Sequence, residues 1–222
     1  GEEPSRIFNF GAPVLDTLSG MHFMPKDELE AMFGVAFGAR TAMMTFHPAA
    51  LDEAPAAEMF EELLAAIDAM HECHFIFTGT NNDIGSDKVR ELMAAFVAAH
   101  PDRVTYVESF GQQGYLSAMH HVDLVVGNSS STVLEAPLLG TPAVLVGNRQ
   151  EGRPLSASVI KASADRAELL QAMRRGISAE FAAEIEGQGT PFGQPGFAKK
   201  AAEVLASVVF ATPLKKKFWE GQ

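Results

Sequence analysis

The sequence predicts an α/β fold with a doubly wound parallel sheet. Short apolar runs alternate with amphipathic segments of helical period from Thr41 to Val209, which is the pattern of repeated strand–helix units. The runs are apolar throughout, as expected for parallel strands that are covered on both faces. Polar loops follow successive strands, and in a sheet of this kind such loops gather at one edge.

Six strands are predicted for the sheet, and one further strand-like segment precedes them. The five clear strands are Thr41–Phe46, His74–Thr78, Val104–Val107, Val122–Val126 and Ala143–Val146. A sixth strand lies within Ser156–Ala164. The segment Arg6–Phe10 also has a strand-like pattern, which would leave Ile7, Phe8 and Phe10 at an open edge.

Helices are predicted between the strands from apolar residues spaced three and four apart. They are Met24–Gly34, Glu53–His71, Asp87–His100, the second part of Ser109–Met119, a helix that starts at Ser129–Ser131, Asp165–Met173 and Phe197–Val209. In the first of these helices, Leu29, Met32 and Phe33 form the apolar face. Asp165 is the expected N-cap of its helix, with Glu168 as the capping partner.

The composition limits the class of protein. With 222 residues, 47% of them hydrophobic and 20% charged, the chain is long enough for one sizeable domain with an appended arm. The formal net charge of −11 argues against nucleic-acid binding as the main activity. No apolar run approaches the ~20 residues that span a bilayer, so no membrane partner is expected. The single cysteine, Cys73, allows no internal disulfide and fits a cytoplasmic protein.

The segment after the fourth predicted strand carries the main indication of a ligand site. Ser129, Ser130 and Ser131 stand where a helix should begin, and a helix N-terminus offers free N–H groups to an anion such as phosphate. Glu135 follows about one turn later, and Arg149 comes after the next strand. Hydroxyls for phosphate, a carboxylate for ribose and a guanidinium for charge together fit a nucleoside diphosphate. The alternative is that the serines only cap a helix and Arg149 is a surface charge.

Two other loops also hold candidate residues. His47 comes directly after the first strand, where open α/β sheets bind ligands, although a lone histidine is usually a surface or structural residue. Asn81 lies in a Gly- and Asn-rich loop after the second strand, and such loops are often plain turns. No spacing of His and Asp residues indicates a metal site, and no cofactor is expected.

Two motifs resemble those of the hydrolysing UDP-N-acetylglucosamine 2-epimerases. The run TFHP at residues 45–48 matches a strand-end motif of that family. The run GNSSS…LEAP…GTPAV…VGNRQEGR at residues 127–153 is similar to the family signature GNSSSGIxEAP…GxPxVNIGxRQxGR. Thr132 stands where the family has Gly, and Leu145 where it has Asn. The resemblance covers nearly the whole chain, but only as the C-terminal half of such an enzyme.

The resemblance implies a site for UDP or UDP-N-acetylglucosamine. The His of TFHP approaches the diphosphate in the family, so His47 is the candidate catalytic residue. Asn81 would hydrogen-bond the nucleotide-sugar. Phe110 and Tyr115 fall where the family has its uracil pocket, with core packing as the alternative for both. Ser129, Ser130 and Arg149 would hold the diphosphate, and Glu135 the ribose.

The resemblance also implies an organisation into domains. Family members have two Rossmann-like domains of the glycosyltransferase-B type. Residues 1–40 would be a remnant of the N-terminal domain edge with the inter-domain connector, residues 41–209 the UDP-binding domain, and residues 210–222 a tail that crosses to the N-terminal domain. The resemblance implies that this N-terminal domain lies outside the present sequence and carries most of the carboxylates that move protons. The chain is therefore expected to bind UDP but to turn over little.

Three functions stay open. In the family, UDP leaves by elimination across carbons 1 and 2 of the sugar, and water adds to give N-acetylmannosamine. The chain would be one half of such an enzyme, with the N-terminal domain supplied in cis or in trans and with a homo-oligomer possible. The alternatives are a non-catalytic nucleotide-binding or assembly module, and the nucleotide-binding half of a glycosyltransferase-B sugar transferase.

Overall fold

The computed structural model describes residues 1–49, 54–208 and 218–221. The chain divides into two compact units, one formed by Gly1–Met21 with Phe192–Gln222 and the other by His22–Pro191. The sequence analysis places its boundaries after residues 40 and 209 instead. The larger unit contains the whole sheet.

The sheet has six parallel strands, as predicted. They are β1 (Thr41–Thr45), β2 (His74–Thr78), β3 (Val104–Val107), β4 (Leu124–Gly127), β5 (Ala143–Val146) and β6 (Val159–Ala162). Their order is β3-β2-β1-β4-β5-β6, and every neighbouring pair is parallel. The chain runs outward from β1 to β3 and then returns to the other side of β1 with β4. The strand order therefore reverses between β1 and β4, the point at which sheets of this topology form a ligand crevice.

Helices connect the strands and flank the sheet. In chain order they are α1 (Val14–Ser19), α2 (Lys26–Phe33), α3 (Ala56–Asp68), α4 (Ser86–Ala99), α5 (Gly111–His121), α6 (Ser130–Val133), α7 (Glu135–Leu138), α8 (Arg166–Gly176), α9 (Ala179–Ile185) and α10 (Phe197–Ser207). A 3₁₀ turn, Pro4–Arg6, precedes them.

Two hydrophobic clusters, one on each face of the sheet, make up the core. Alternate residues of β1 belong to different clusters: Met44 packs with Phe60 of α3 on one side, and Met43 packs with Leu29 of α2 on the other. Helices α3, α4 and α8 contribute to the first cluster, and α2, α5 and α7 to the second. This alternation explains why the inner strands β4 and β5 have no polar side chains, because both of their faces are covered.

Some predicted elements differ from those observed. Arg6–Phe10 is not a strand: the 3₁₀ turn ends at Arg6, and the next residues have no regular structure because no strand pairs with them. Met32 is 61% exposed, since only a narrow stripe of the short helix α2 faces the core. Glu168 does not complete a capping box. Its carboxylate accepts hydrogen bonds from the backbone N–H and the hydroxyl of Ser163, while Asp165 alone caps α8.

The smaller unit is held by hydrogen bonds between its two segments. The carboxylate of Asp16 in α1 accepts the backbone N–H groups of Gly196, Phe197 and Ala198 at the start of α10. These bonds lower the pKa of Asp16 below its ordinary value. The backbone N–H of Ala12 also donates to the carbonyl of Phe192 at 2.9 Å. Most of the predicted C-terminal tail lies outside the described residues.

Candidate functional site

The candidate residues follow strands that end at one edge of the sheet. His47 follows β1, Asn81 follows β2, Ser129 follows β4 and Arg149 follows β5. Because all strands are parallel, their carboxyl ends meet at the same edge. Hydrogen bonds connect these four loops, and a residue that the sequence analysis did not select, Asn128, takes part in most of them.

Asn128 joins the loops that follow β1, β4 and β5. Its side-chain oxygen accepts the backbone N–H of His47 at 2.8 Å, and its side-chain nitrogen donates to the His47 carbonyl at 2.7 Å. Its own carbonyl accepts hydrogen bonds from Arg149 at 3.1 Å and from Gln150 at 2.9 Å. Asn128 is fully buried, so these polar groups have no water to replace a lost partner. The side chain of Asn128 therefore holds His47, and its main-chain carbonyl holds Arg149.

His47 is held through its ring as well as its backbone. Its Nδ1 atom accepts the backbone N–H of Asn81 at 3.1 Å. Burial lowers the pKa of His47 below its ordinary value, and the nearby Arg149 lowers the pKa further, while Asp83 acts in the opposite direction. The imidazole is therefore mainly neutral at neutral pH.

The serine turn is largely buried and is tied to Tyr115. The hydroxyl of Ser129 caps α6 by accepting the backbone N–H of Ser131, which confirms the predicted helix start. The Ser131 hydroxyl donates to Ser129 at 3.0 Å and lies 2.7 Å from the Tyr115 hydroxyl. Tyr115 also lies 3.2 Å from the Thr45 hydroxyl at the end of β1. Ser130 is partly exposed, and no residue in the described part of the chain accepts its backbone N–H.

Phe110 lies in the core. Its side chain is 4% exposed, and its ring centroid is 4.7 Å from that of Phe33 in α2. A ring in this position has no free face to offer a base. The core-packing alternative therefore describes Phe110, and we leave it out of the site.

Glu135 begins a second short helix and does not lie inside the first one. Pro137 has no N–H to donate to the carbonyl of Val133, and the helix is interrupted at Leu134 between α6 and α7. The Oε2 atom of Glu135 is buried and has no hydrogen-bond partner among the described residues. Burial raises the pKa of Glu135 above its ordinary value, against the opposing effects of a backbone hydrogen bond and of Arg153.

Only a glycine can occupy position 127, at the end of β4. Its φ angle is +144°, and a Cβ atom built there would lie 1.9 Å from the carbonyl oxygen of Thr45. The close approach of the two backbones lets Asn128 reach the main chain of His47. The Gly-Asn pair thus sets the geometry at the reversal point of the sheet.

A cavity of about 440 Å³ opens near the ends of β5 and β6. Its carboxylates already have partners within the protein: Glu151 pairs with Lys161 at 3.0 Å, Glu168 accepts from Ser163, and Asp165 caps α8. The described residues contain no group of three or more His, Cys, Asp or Glu side chains arranged to hold a metal ion. They also contain no helix long and apolar enough to cross a membrane.

Comparison with known proteins identifies the family. The profile of the UDP-N-acetylglucosamine 2-epimerase family matches residues 1–206. The chain belongs to this family. It is 28% identical over 210 residues to the polysialic acid biosynthesis protein P7 of Escherichia coli, covering 94% of this chain and 53% of that protein. It is 29% identical over 181 residues to the hydrolysing GDP/UDP-N,N'-diacetylbacillosamine 2-epimerase of Campylobacter jejuni, covering 82% and 47%.

Solved structures of the same family share the fold. The UDP-N-acetylglucosamine 2-epimerase of Methanocaldococcus jannaschii, in complex with UDP-N-acetylglucosamine and UDP, superimposes with a TM-score of 0.72 at 14% identity, over 93% of this chain and 56% of that one. The enzyme from Neisseria meningitidis, bound to UDP-N-acetylglucosamine, gives 0.70 at 13% identity, over 89% and 54%. This epimerase-family chain spans about half the length of the curated relatives it matches.

Sequence reasoning missed two polar residues that connect the loops of the candidate site. Asn128 stands inside the GNSSS motif and Gln150 inside VGNRQEGR, yet only their neighbours were selected. Buried polar side chains next to strand ends are the signal that could have found them, because such groups need partners from another loop. Asn128 is fully buried and Gln150 is 5% exposed.

Proposed function

We propose that this chain is the UDP-binding half of a hydrolysing UDP-N-acetylglucosamine 2-epimerase. The observation that carries the proposal is the pairing of His47 and Arg149 through Asn128, at the point where the strand order reverses. Doubly wound sheets bind nucleotides at that point. One hydrogen-bond donor and one fixed positive charge there suit a diphosphate.

The diphosphate would contact three groups. Arg149 uses one of its N–H groups on the carbonyl of Asn128 and keeps others for a ligand. His47 contributes Nε2, the ring nitrogen that has no partner among the described residues, and the serine turn contributes Ser130, with its backbone N–H and hydroxyl. Ser129 acts indirectly, because its hydroxyl is already engaged as the cap of α6. These donors would compensate the negative charge that develops on UDP as it leaves the sugar.

The nucleoside would contact Glu135 and Tyr115, and Asn81 lies at the rim. Glu135 has one buried carboxylate oxygen without a partner in the described part of the chain, and the two hydroxyls of a ribose could donate to it. Tyr115 is partly buried with its hydroxyl anchored on Ser131, which leaves its ring as the candidate for covering the uracil. The side-chain nitrogen of Asn81 already donates to Pro48 in the loop after β1 and to Asp83 in its own loop, so a contact with the sugar would use other atoms of the loop after β2.

The remaining half of the enzyme would come from a further segment of the same protein or from a partner chain. The chain spans about half the length of its curated relatives, and we assign Glu135, one of the carboxylates near the proposed site, to the ribose. We therefore expect the groups that move protons to lie in the other half. We further propose a cytoplasmic location, since the single cysteine, Cys73, is a buried free thiol.

A turnover assay tests this division. The chain is incubated with UDP-N-acetylglucosamine, and UDP release is followed by a coupled reaction, next to a sample without protein. We expect UDP to bind but no release above the background. Release of UDP by this chain alone would contradict the assignment of the proton-moving groups to the other half. Transfer of the sugar to an added acceptor would favour the sugar-transferase alternative.

A further inference from the structure

The position of His47 is fixed from three directions. Asn128 binds both its backbone N–H and its carbonyl, and the backbone N–H of Asn81 donates to its ring Nδ1 atom at 3.1 Å. A backbone N–H can only donate, so Nδ1 must present a lone pair to it. In a neutral imidazole with an unprotonated Nδ1, the proton is on Nε2.

Hydrogen bonds within its own loop, to the loop after β1 and to α4 hold the N–H of Asn81 in this direction. The Asn81 side-chain nitrogen donates to the carbonyl of Pro48 at 3.2 Å and to Asp83 at 2.6 Å. The Ser86 hydroxyl donates to the Asn81 side-chain oxygen at 3.0 Å, and Arg90 donates to the Asn81 carbonyl at 2.7 Å. Four hydrogen bonds around one residue leave little freedom for its N–H to turn away from the ring.

The other ring nitrogen is available. No residue in the described part of the chain binds the Nε2 atom of His47. Among the described residues, the charged groups that act on the ring are Arg149, which disfavours a positive charge on the imidazole, and Asp83, which favours it. A proton on Nδ1 would also face the Asn81 N–H and would abolish that hydrogen bond.

We propose that the loop after β2 fixes His47 as the Nε2–H tautomer, so that the ring serves as a neutral hydrogen-bond donor to a phosphate oxygen. Asn81 is then a positioning residue that acts through its backbone N–H. The proposal that His47 donates to a phosphate oxygen rests on the proposed UDP site, whereas the assignment of the tautomer is independent of that site. A ring that presents Nε2–H has no lone pair facing the ligand, so His47 cannot remove a proton from the sugar. That proton must be taken by another group.

Nitrogen NMR on the uniformly ¹⁵N-labelled chain tests the tautomer without any ligand. Two-bond ¹⁵N–¹H correlation spectra, with the His47 signals assigned by comparison with His47→Gln, distinguish a nitrogen that carries hydrogen from one that does not. We expect Nε2 to carry the proton and Nδ1 to carry none at neutral pH. The opposite pattern, or a doubly protonated ring, would overturn the proposal.

A pair of variants tests the role of the donor. The amide nitrogen of a glutamine reaches the place of Nε2, while an asparagine reaches only the place of Nδ1. We expect His47→Gln to bind UDP within about threefold of the wild type with the same pH dependence, and His47→Asn to bind roughly tenfold more weakly or worse. Thermal unfolding checks that both variants fold. Equal affinities of two folded variants would contradict the donor role. If the wild type does not bind UDP, the proposed function fails, and the NMR result alone decides the tautomer.

Discussion

The side-chain amide of Asn128 pairs with both backbone polar groups of His47, at 2.8 Å and 2.7 Å. The last backbone pair between β1 and β4 is Thr45 with Gly127. The side chain of Asn128, the next residue after Gly127, continues the hydrogen bonding between the two chain segments beyond that pair. The pairing of Asn128 with His47 therefore continues the sheet into the site. Its loss would separate the two loops that we assign to the diphosphate.

Asn128→Ala should destabilise the chain. The substitution leaves the N–H and the carbonyl of His47 without these partners in a partly buried place, which costs about 1–3 kcal/mol in the free energy of unfolding. Urea unfolding followed by circular dichroism measures the loss. Asn82→Ala is the control, because Asn82 is exposed and, within the described part of the chain, its side chain bonds only to Arg90. Equal stabilities of the two variants would show that the Asn128 pairing contributes nothing.

Gly127→Ala should also destabilise the chain, by about 3 kcal/mol. The added Cβ atom would lie 1.9 Å from the carbonyl oxygen of Thr45, so β1 and β4 would have to move apart. Gly140→Ala is the matched control. Gly140 also has a positive φ, +74°, but a Cβ atom there meets nothing within 4 Å. Chemical denaturation of both variants separates the effect of the steric clash from that of backbone strain. Similar losses in the free energy of unfolding would contradict the role that we give to the close approach of Gly127 and Thr45.

Tyr115→Phe should affect stability and ligand binding differently. Loss of the hydroxyl leaves Ser131 and Thr45 with one partner fewer and should lower the free energy of unfolding by about 1–2 kcal/mol. Tyr106→Phe, which removes a more exposed hydroxyl, should change it by less than about 0.5 kcal/mol.

The same position tests whether the Tyr115 ring covers the uracil. The phenylalanine ring keeps its stacking surface, so the affinity of Tyr115→Phe for UDP should stay close to that of the wild type. Tyr115→Leu should weaken binding by ~1–3 kcal/mol. Binding of UDP by Tyr115→Leu at wild-type strength would remove Tyr115 from the uracil contact.

Glu135→Gln should raise stability and lower affinity at the same time. Since burial raises the pKa of Glu135 in the folded chain, the folded state binds more protons than the unfolded state above the ordinary pKa of 4.5, and the free energy of unfolding falls as the pH rises through the raised pKa. The variant should therefore be more stable than the wild type at pH 7, and this difference should disappear below about pH 4. Unfolding curves at several pH values measure it.

The affinity of Glu135→Gln for UDP should fall roughly tenfold or more if the carboxylate binds the ribose. When a residue serves ligand binding at the expense of stability, its replacement is expected to raise stability and weaken binding. If Glu135→Gln is less stable than the wild type at pH 7, the carboxylate is structural, and the ribose assignment fails.

Strands and helices were predictable from the sequence where apolar residues formed a continuous run or a repeated pattern. The strands His74–Thr78, Val104–Val107 and Ala143–Val146 begin and end where predicted, because buried parallel strands are bounded by polar turns. The short helices α1 and α9 were missed, since six or seven residues give too few repeats of the helical period. The break at Leu134 was readable from Pro137 but was overlooked.

The site was predictable only in part. The order of strands and loops placed His47, Asn81 and Arg149 at one edge, but the sequence could not show which buried group connects them. Asn128 and His47 are 81 positions apart, and a hydrogen bond over that distance depends on the pairing of β1 with β4. Phe110 could not be distinguished from Tyr115 by spacing. The structure separates them by burial: Phe110 is a buried member of the cluster around Leu29, whereas Tyr115 is partly buried and packs against the same cluster.

Calorimetric titration of UDP into the wild-type chain and into Arg149→Ala tests the central claim most directly. Arg174→Ala, which removes an exposed arginine of α8, is the control. We predict saturable binding of UDP by the wild type and by the control, with a Kd in the micromolar to millimolar range. For Arg149→Ala, we predict binding that is weaker by ~1.5–3 kcal/mol, because a charged hydrogen bond to phosphate is lost. No binding by the wild type, or equal binding by the wild type and Arg149→Ala, would contradict the account.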